Sequence, residues 1–192
     1  MLLSIVPMLS FAWMMKRAIE ETNIVKLVEL ANSTIEYRSE VTATFLSNKI
    51  NMLRTLIALY PDDSFFSQEK TERLFQSMVP REDIVDLQVI DEIGFQHAYV
   101  GPYRKMVEDK SYHEAVWFRE TLDSGFHVSD LFSGFRNSPH FVVAVASPLK
   151  NYVVRATINS SLFNSLLHSA QLGSNGDAFI VNRAGEFQTP SL

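Results

Sequence analysis

Gly94-Phe95-Gln96-His97-Ala98-Tyr99-Val100-Gly101-Pro102-Tyr103 opens the stretch that decides the fold. It continues through Tyr112-His113-Glu114-Ala115-Val116-Trp117-Phe118 and Val128-Ser129-Asp130 to the apolar run His140 to Ala146. Periodicity and turn residues read this as strand, loop, short helix, strand, turn and strand. Such a unit curls a sheet around a small cleft. Tyr99, Tyr103, Trp117, Phe118, His127, Asp130, Arg136 and His140 lie along it, denser in aromatic and polar groups than a core requires. They are the candidate ligand-binding residues.

Working outward, Ile84-Val85-Asp86-Leu87-Gln88-Val89-Ile90 alternates as a half-buried strand with Ile84 or Val85, Leu87 and Val89 inward. Asp91-Glu92-Ile93-Gly94 turns it back into Phe95 to Val100, with glycine supplying a positive φ. Ser111, with Glu114 three residues on, predicts the capping box of a helix over 111–123, closed by Gly125. Strands are expected over 126–131, 141–146 and 152–158, the first two joined by the turn-rich Ser133-Gly134-Phe135-Arg136-Asn137-Ser138-Pro139. Five antiparallel strands with helices to one side make residues 62–158 an α+β domain of PAS-like shape.

Before this domain, residues 18–60 contain neither Pro nor Gly and place Ile24, Val28, Ala31, Ile35, Thr42, Phe45, Leu46, Leu53, Leu56, Ile57 and Tyr60 at helical spacing. They predict one amphipathic helix about 60 Å long. Its polar first half, with the stripe narrowed to a seam and interrupted at Arg38 and Lys49, suggests packing on a second subunit or a neighbouring domain. Pro61-Asp62-Asp63-Ser64 ends it, and Ser67-Gln68-Glu69-Lys70 opens a short helix to Met78. The uncharged Met1 to Met15, directly before Lys16 and Arg17, is short of the roughly 20 apolar residues of a membrane span. The end of a transmembrane helix, a signal peptide and a buried helix all stand as readings. The first is preferred, because no basic residue precedes Leu2 and Trp13-Met14-Met15 is a poor cleavage context. Lys16 and Arg17 alone would place the chain beyond them in the cytoplasm; an outside placement rests on the domain instead.

After the sheet, Asn159-Ser160-Ser161 is expected to cap a connecting helix over 159–172. Residues 173–192 then echo the first hairpin: Ile180-Val181-Asn182-Arg183-Ala184-Gly185 matches Val89-Ile90-Asp91-Glu92-Ile93-Gly94 in its apolar pair, Asp or Asn, two turn residues and Gly. A second copy of the unit is expected to begin here.

Composition excludes several function classes. The chain has 192 residues, 46% hydrophobic with 14 Phe, enough for a core. A net charge of −5 without a Lys/Arg cluster offers no footprint for nucleic acid. The absence of cysteine removes disulfides, thiolate metal sites and Cys nucleophiles. His97, His113, His127, His140 and His168 lack metal-ligand spacing, and no G-x-S-x-G elbow or phosphate loop is present. No catalytic residue, metal or cofactor is implied. A small enzyme or purely structural domain stays as the alternative, and would gather titratable groups in one cleft.

In order and spacing, Ala98-Tyr99-Val100-Gly101-Pro102-Tyr103, Ala115-Val116-Trp117-Phe118, Val128-Ser129-Asp130-Leu131-Phe132-Ser133-Gly134-Phe135-Arg136, Pro139-His140-Phe141 and Leu172-Gly173-Ser174-Asn175-Gly176-Asp177-Ala178-Phe179 resemble the double Cache sensor regions of bacterial membrane histidine kinases. The resemblance implies an extracytoplasmic small-molecule sensor at the inner membrane, dimerising through its long helix. It implies a parent that continues through a second Cache unit and a second membrane helix to a kinase; a chemoreceptor or cyclic-dinucleotide enzyme is the alternative output. Cache domains that bind amino acids carry an Arg-x-Trp-Tyr motif and an Asp at the start of the last helix. Here Ala115, Phe118 and Asn159 replace the Arg, Tyr and Asp, and Trp117 alone matches. This disfavours a free amino acid and leaves a carboxylate or other small polar compound, with Asn159 added to the candidate residues.

Overall fold

The computed structural model describes residues 5–60, 67–77, 83–108, 110–132, 140–159 and 179–188. Arg136, the expected connecting helix beyond Asn159, and Gly173-Ser174-Asn175-Gly176 lie outside these residues.

The Pro- and Gly-free run over 18–60 lies almost wholly within a single helix, α1 (Ile5–Leu59), about 80 Å long at 1.5 Å per residue. It takes in much of the apolar Met1 to Met15 run, so no break separates the two segments. Among the described residues no helix is long and apolar enough to cross a membrane. The apolar stripe meets the domain only in the C-terminal part of the helix: Phe45, Leu46, Leu53, Leu56 and Ile57 pack on the domain, while Ile24, Val28 and Ile35 stay exposed. Lys49 belongs to the packed face, buried in an ion pair with Asp83.

The domain consists of α2 (Gln68–Ser77), β1 (Ile84–Asp91), β2 (Gln96–Val100), α3 (Arg104–Val107), α4 (Val116–Ser124), β3 (Phe126–Val128), β4 (His140–Ala146) and β5 (Tyr152–Asn159). All strand pairs are antiparallel, in the order β2-β1-β5-β4-β3. The five expected strands are therefore present in an α+β fold. The helices, however, occupy both faces of the sheet rather than one. Leu87, Val89, Phe141, Val143, Val145, Val154, Ala156 and Ile158 form a core with the C-terminal half of α1. On the opposite face Ile90, Ala144, Ala146 and Val153 are covered by Tyr112, Phe118, Trp117 and Leu122. This corrects the half-buried reading of β1: Asp86 and Gln88, on the supposed solvent face, are 0% exposed.

Both hairpin turns are built alike. Asp91 Oδ1 accepts the N–H groups of Ile93 (3.1 Å) and Phe95 (2.8 Å), and the Asp91 carbonyl accepts that of Gly94 (3.0 Å). Asn182 repeats this with Ala184 (3.0 Å), Glu186 (2.9 Å) and Gly185 (3.0 Å). Gly94 (φ 88°) and Gly185 (φ 81°) take the left-handed position. The echo in the sequence is thus an echo in hydrogen bonding.

The expected capping box does not form. Ser111 is instead drawn into a bridge with Phe95, the Tyr112 N–H donates to the Gly94 carbonyl at 2.9 Å, and α4 starts at Val116 with Ala115 in the cap position. Pairing to the sheet outcompetes the local cap, delaying the helix by one turn. Its C-terminus agrees with expectation, Gly125 being left-handed at φ 86°. β3 ends at Val128, short of the expected Leu131, although Ser129 extends the pairing by donating its N–H to the Val142 carbonyl at 3.0 Å.

Candidate functional site

Residues directly opposite one another in an antiparallel sheet project to the same face. Tyr99 pairs with Gln88, Gln88 with Arg155, Arg155 with Ala144 and Ala144 with His127. One transverse row, Tyr99-Gln88-Arg155-Ala144-His127, therefore crosses all five strands on the face covered by α4. The next row carries Asp86, Thr157 and Val142. Except for His127, every member of both rows is buried, the polar Gln88, Arg155, Asp86 and Thr157 included.

Hydrogen bonds organise this layer. Arg155 Nη1 donates to Gln88 Oε1 at 2.6 Å, and Gln88 Nε2 donates to the Tyr112 hydroxyl at 3.1 Å. The guanidinium carbon lies 4.9 Å from the Trp117 ring centroid and 5.6 Å from that of Tyr112, within cation–π range. Tyr112 and Trp117 meet edge to face at 5.5 Å, and Trp117 and Phe118 at 5.8 Å. Tyr99 donates its O–H to Asp86 Oδ2 at 3.0 Å and accepts the Tyr103 N–H at 2.9 Å. A Cβ on Gly101 would lie 2.4 Å from Asp86 Cβ, so glycine there lets the turn close over this carboxylate. His127 Nδ1 is 2.8 Å from Glu120 Oε2, joining α4 to β3.

Of the nine candidate residues, the eight that are described scatter accordingly. Trp117 is half-buried over Arg155, and Phe118 is a core residue, 1% exposed. Tyr99 lies in the buried row, and Tyr103 enters through its backbone N–H. His127 and His140 share the covered face, the latter at the far end of β4 with Phe132 at 4.5 Å between ring centroids. Asp130 stands elsewhere: it accepts from Asn182 Nδ2 at 2.9 Å and lines a cleft of about 240 Å³ with Thr42, Leu46, Phe141 and Ile180. Asn159 is exposed at the end of β5, its N–H donating to the Asp83 carbonyl at 2.9 Å. His127, Asp130 and His140 do not form a single cluster.

Asp86, Gln88, Tyr112, Arg155 and Thr157 were missed. The signal was available: Asp86 and Gln88 in IVDLQVI, and Arg155 and Thr157 in YVVRATI, alternate on one face of neighbouring strands. β4, apolar from Phe141 to Ala146, shows that both faces of the sheet are covered. Among the described residues, no three His, Cys, Asp or Glu could jointly hold a metal ion.

No protein-family model and no curated protein matches the chain. Solved structures do. The ligand-binding domain of the Pseudomonas fluorescens chemoreceptor CtaA, in complex with L-serine, superposes with a TM-score of 0.62 at 16% identity over 81% of this chain and 68% of that one. Its L-isoleucine complex gives the same TM-score and covers 64% of that chain. The ligand-binding domain of the Pseudomonas aeruginosa amino acid chemoreceptor PctC, in complex with GABA, gives 0.58 at 14% identity over 80% and 68%. The chain thus spans about two thirds of the length of these domains. At such identities the likeness is one of architecture, and it establishes that this long helix with its five-stranded antiparallel sheet shares the α+β fold of these chemoreceptor ligand-binding domains.

Proposed function

We propose that the chain is the extracytoplasmic small-molecule-sensing region of a membrane-bound signal-transduction receptor, without catalysis of its own. One observation carries this reading beyond the fold: a buried polar row, Gln88-Arg155 with Tyr112 and Trp117 over it, lies on the covered face of the sheet. Burying polar groups on central strands is unfavourable unless they are paired, and a structural core has no need of them. A sensor needs a few placed polar groups within apolar walls. Output through a sensor histidine kinase is the first reading. A chemoreceptor is the second, favoured by the likeness to the CtaA and PctC domains.

Placement in the periplasm at the inner membrane, a membrane segment over 1–15 and a homodimer through α1 belong to the same proposal. The exposed Ile24, Val28 and Ile35 on α1, with the exposed Phe179, Val181 and Phe187 of the second hairpin, support further packing partners along the helix. A second Cache unit beginning at residue 173 is one such partner. A thermal-shift screen of the chain against carboxylates, amino acids, amines, purines and inorganic anions tests the function. A ligand at about 100 times its Kd adds roughly 2.7 kcal/mol, and Trp117→Ala should lose that shift. No shift from any class with a folded protein would count against sensing by this domain.

A further inference from the structure

Where α1 ends, a cleft of about 410 Å³ opens between its last turns, the end of β4 and the β4–β5 turn. The helix contributes Arg54 and Ile57, β4 contributes Val145, and the turn contributes Pro148 and Lys150. Ile57 and Val145 belong to the core between α1 and the sheet, so the cleft lies on the α1 side, apart from the covered row around Arg155. Arg54 and Lys150 are the charged groups among the described residues that line it, and no carboxylate is among them. This occurs in a chain of net charge −5. Two like charges brought to one cleft repel unless an anion lies between them. The Arg54 Cζ is 5.3 Å from the Phe126 ring centroid, a contact that uses none of the five guanidinium N–H donors. Among the described residues no acceptor takes one of those donors.

Lys150 supplies a second, independent observation. Among the described residues it is the one non-glycine residue at positive φ, 56°. The turn holds it there: its N–H donates to the Ser147 carbonyl at 2.9 Å, and Ser147 Oγ accepts the N–H groups of Asn151 (3.1 Å) and Tyr152 (3.3 Å). Glycine would take this conformation with less strain. Lysine instead carries a charge to the cleft, with one ammonium donor on the Asp123 carbonyl at 3.0 Å. We propose that this cleft is a binding site for a small organic dianion. The Arg54 fork and the Lys150 ammonium take its charge, and Ile57, Val145 and Pro148 receive a short apolar body. A bound dianion would tie the end of α1 to the β4–β5 turn. The site is independent of ligand binding at the covered row.

The test is titration calorimetry on the 192-residue chain with phenyl phosphate and succinate, set against phenol, succinamide and inorganic phosphate. At least one dianion should bind, and its neutral counterpart about tenfold to a hundredfold more weakly, as expected for loss of charge-assisted hydrogen bonds. Inorganic phosphate, without an apolar body, should bind more weakly than phenyl phosphate. Arg54→Gln should weaken the dianion at least about tenfold. Lys150→Gly should also weaken it about tenfold while melting no lower than the wild type, because strain is relieved as the charge is lost. A lysine that serves only the turn would not separate binding from stability in this way. The comparison of dianion with neutral counterpart needs no variant, so it stays decisive if a variant misfolds. Equal binding of dianion and neutral compound, inorganic phosphate binding as tightly as phenyl phosphate, or no binding by either dianion would overturn the site. Unchanged affinity in folded Arg54→Gln would overturn it too. Binding that survives Arg54→Gln but is lost in Trp117→Ala would overturn this cleft and support the covered row, whereas loss in Arg54→Gln alone supports the cleft whether or not the covered row binds.

Discussion

Replacing Lys49 by Met should destabilise the domain far more than the loss of an ordinary helix lysine. Lys49 Nζ and Asp83 Oδ2 form an ion pair with side chains only 10% and 8% exposed. The ammonium also lies 5.2 Å from the Phe45 ring centroid, and the Asp83 carbonyl accepts the Asn159 N–H at 2.9 Å. One pair thus ties α1 to the ends of β1 and β5. An exposed pair is worth about 0–1 kcal/mol. Removing one member of a buried pair strands the other charge and costs about 3–5 kcal/mol. At about 2–4 °C per kcal/mol for a chain of this size, the melting temperature should fall by roughly 6–20 °C. Lys49→Met/Asp83→Leu should recover most of that loss, because apolar replacement of the whole pair is often neutral or stabilising. Urea and thermal unfolding of the wild type, both single variants and the double variant close the cycle. A loss below about 1 kcal/mol in Lys49→Met, or a double variant as unstable as the sum of the singles, would refute the buried-pair argument.

Two glycines separate backbone strain from collision. Gly125→Ala (φ 86°) meets nothing within 4 Å and should cost about 1 kcal/mol, whereas Gly94→Ala (φ 88°) drives a Cβ to 2.4 Å from the His113 nitrogen and should cost at least twice as much in urea unfolding. Gln68 donates to the Tyr99 carbonyl at 2.8 Å and accepts its N–H at 3.0 Å, pairing an edge strand with a side chain. Gln68→Ala should cost about 1–3 kcal/mol and speed hydrogen exchange at the Tyr99 amide. Glutamate at Ile24, Val28 and Ile35 together should leave the unfolding free energy of the domain within about 0.5 kcal/mol, since all three are exposed. The same triple variant should be monomeric by light scattering if α1 carries a dimer.

The strands, their order in the chain and the long helix were legible because apolar periodicity and Gly or Pro punctuation report them directly. The Asp91 and Asn182 turns were legible in more detail, down to the glycine that each requires. What escaped was set by contacts distant in sequence. Ser111 looks like a helix cap until Phe95 pairs with it. Lys49 looks like a flaw in an apolar stripe until Asp83 meets it. Tyr99 and Trp117 were found for their aromaticity, but Gln88 and Arg155 were read past, since a polar residue alternating with Leu or Val resembles a solvent face. Only the covering Tyr112 and α4 make that face an interior.

The central claim is that the covered row around Arg155 is where a small molecule binds. An amide and indole NMR titration of the labelled chain with the strongest stabilising compound tests it most directly. Shifts should concentrate at Gln88, Tyr112, Trp117, Ala144 and Arg155, on four elements and the covering segment that share one face. Shifts confined to the cleft of Leu46, Asp130 and Asn182, with the Arg155 row unmoved, would contradict the account.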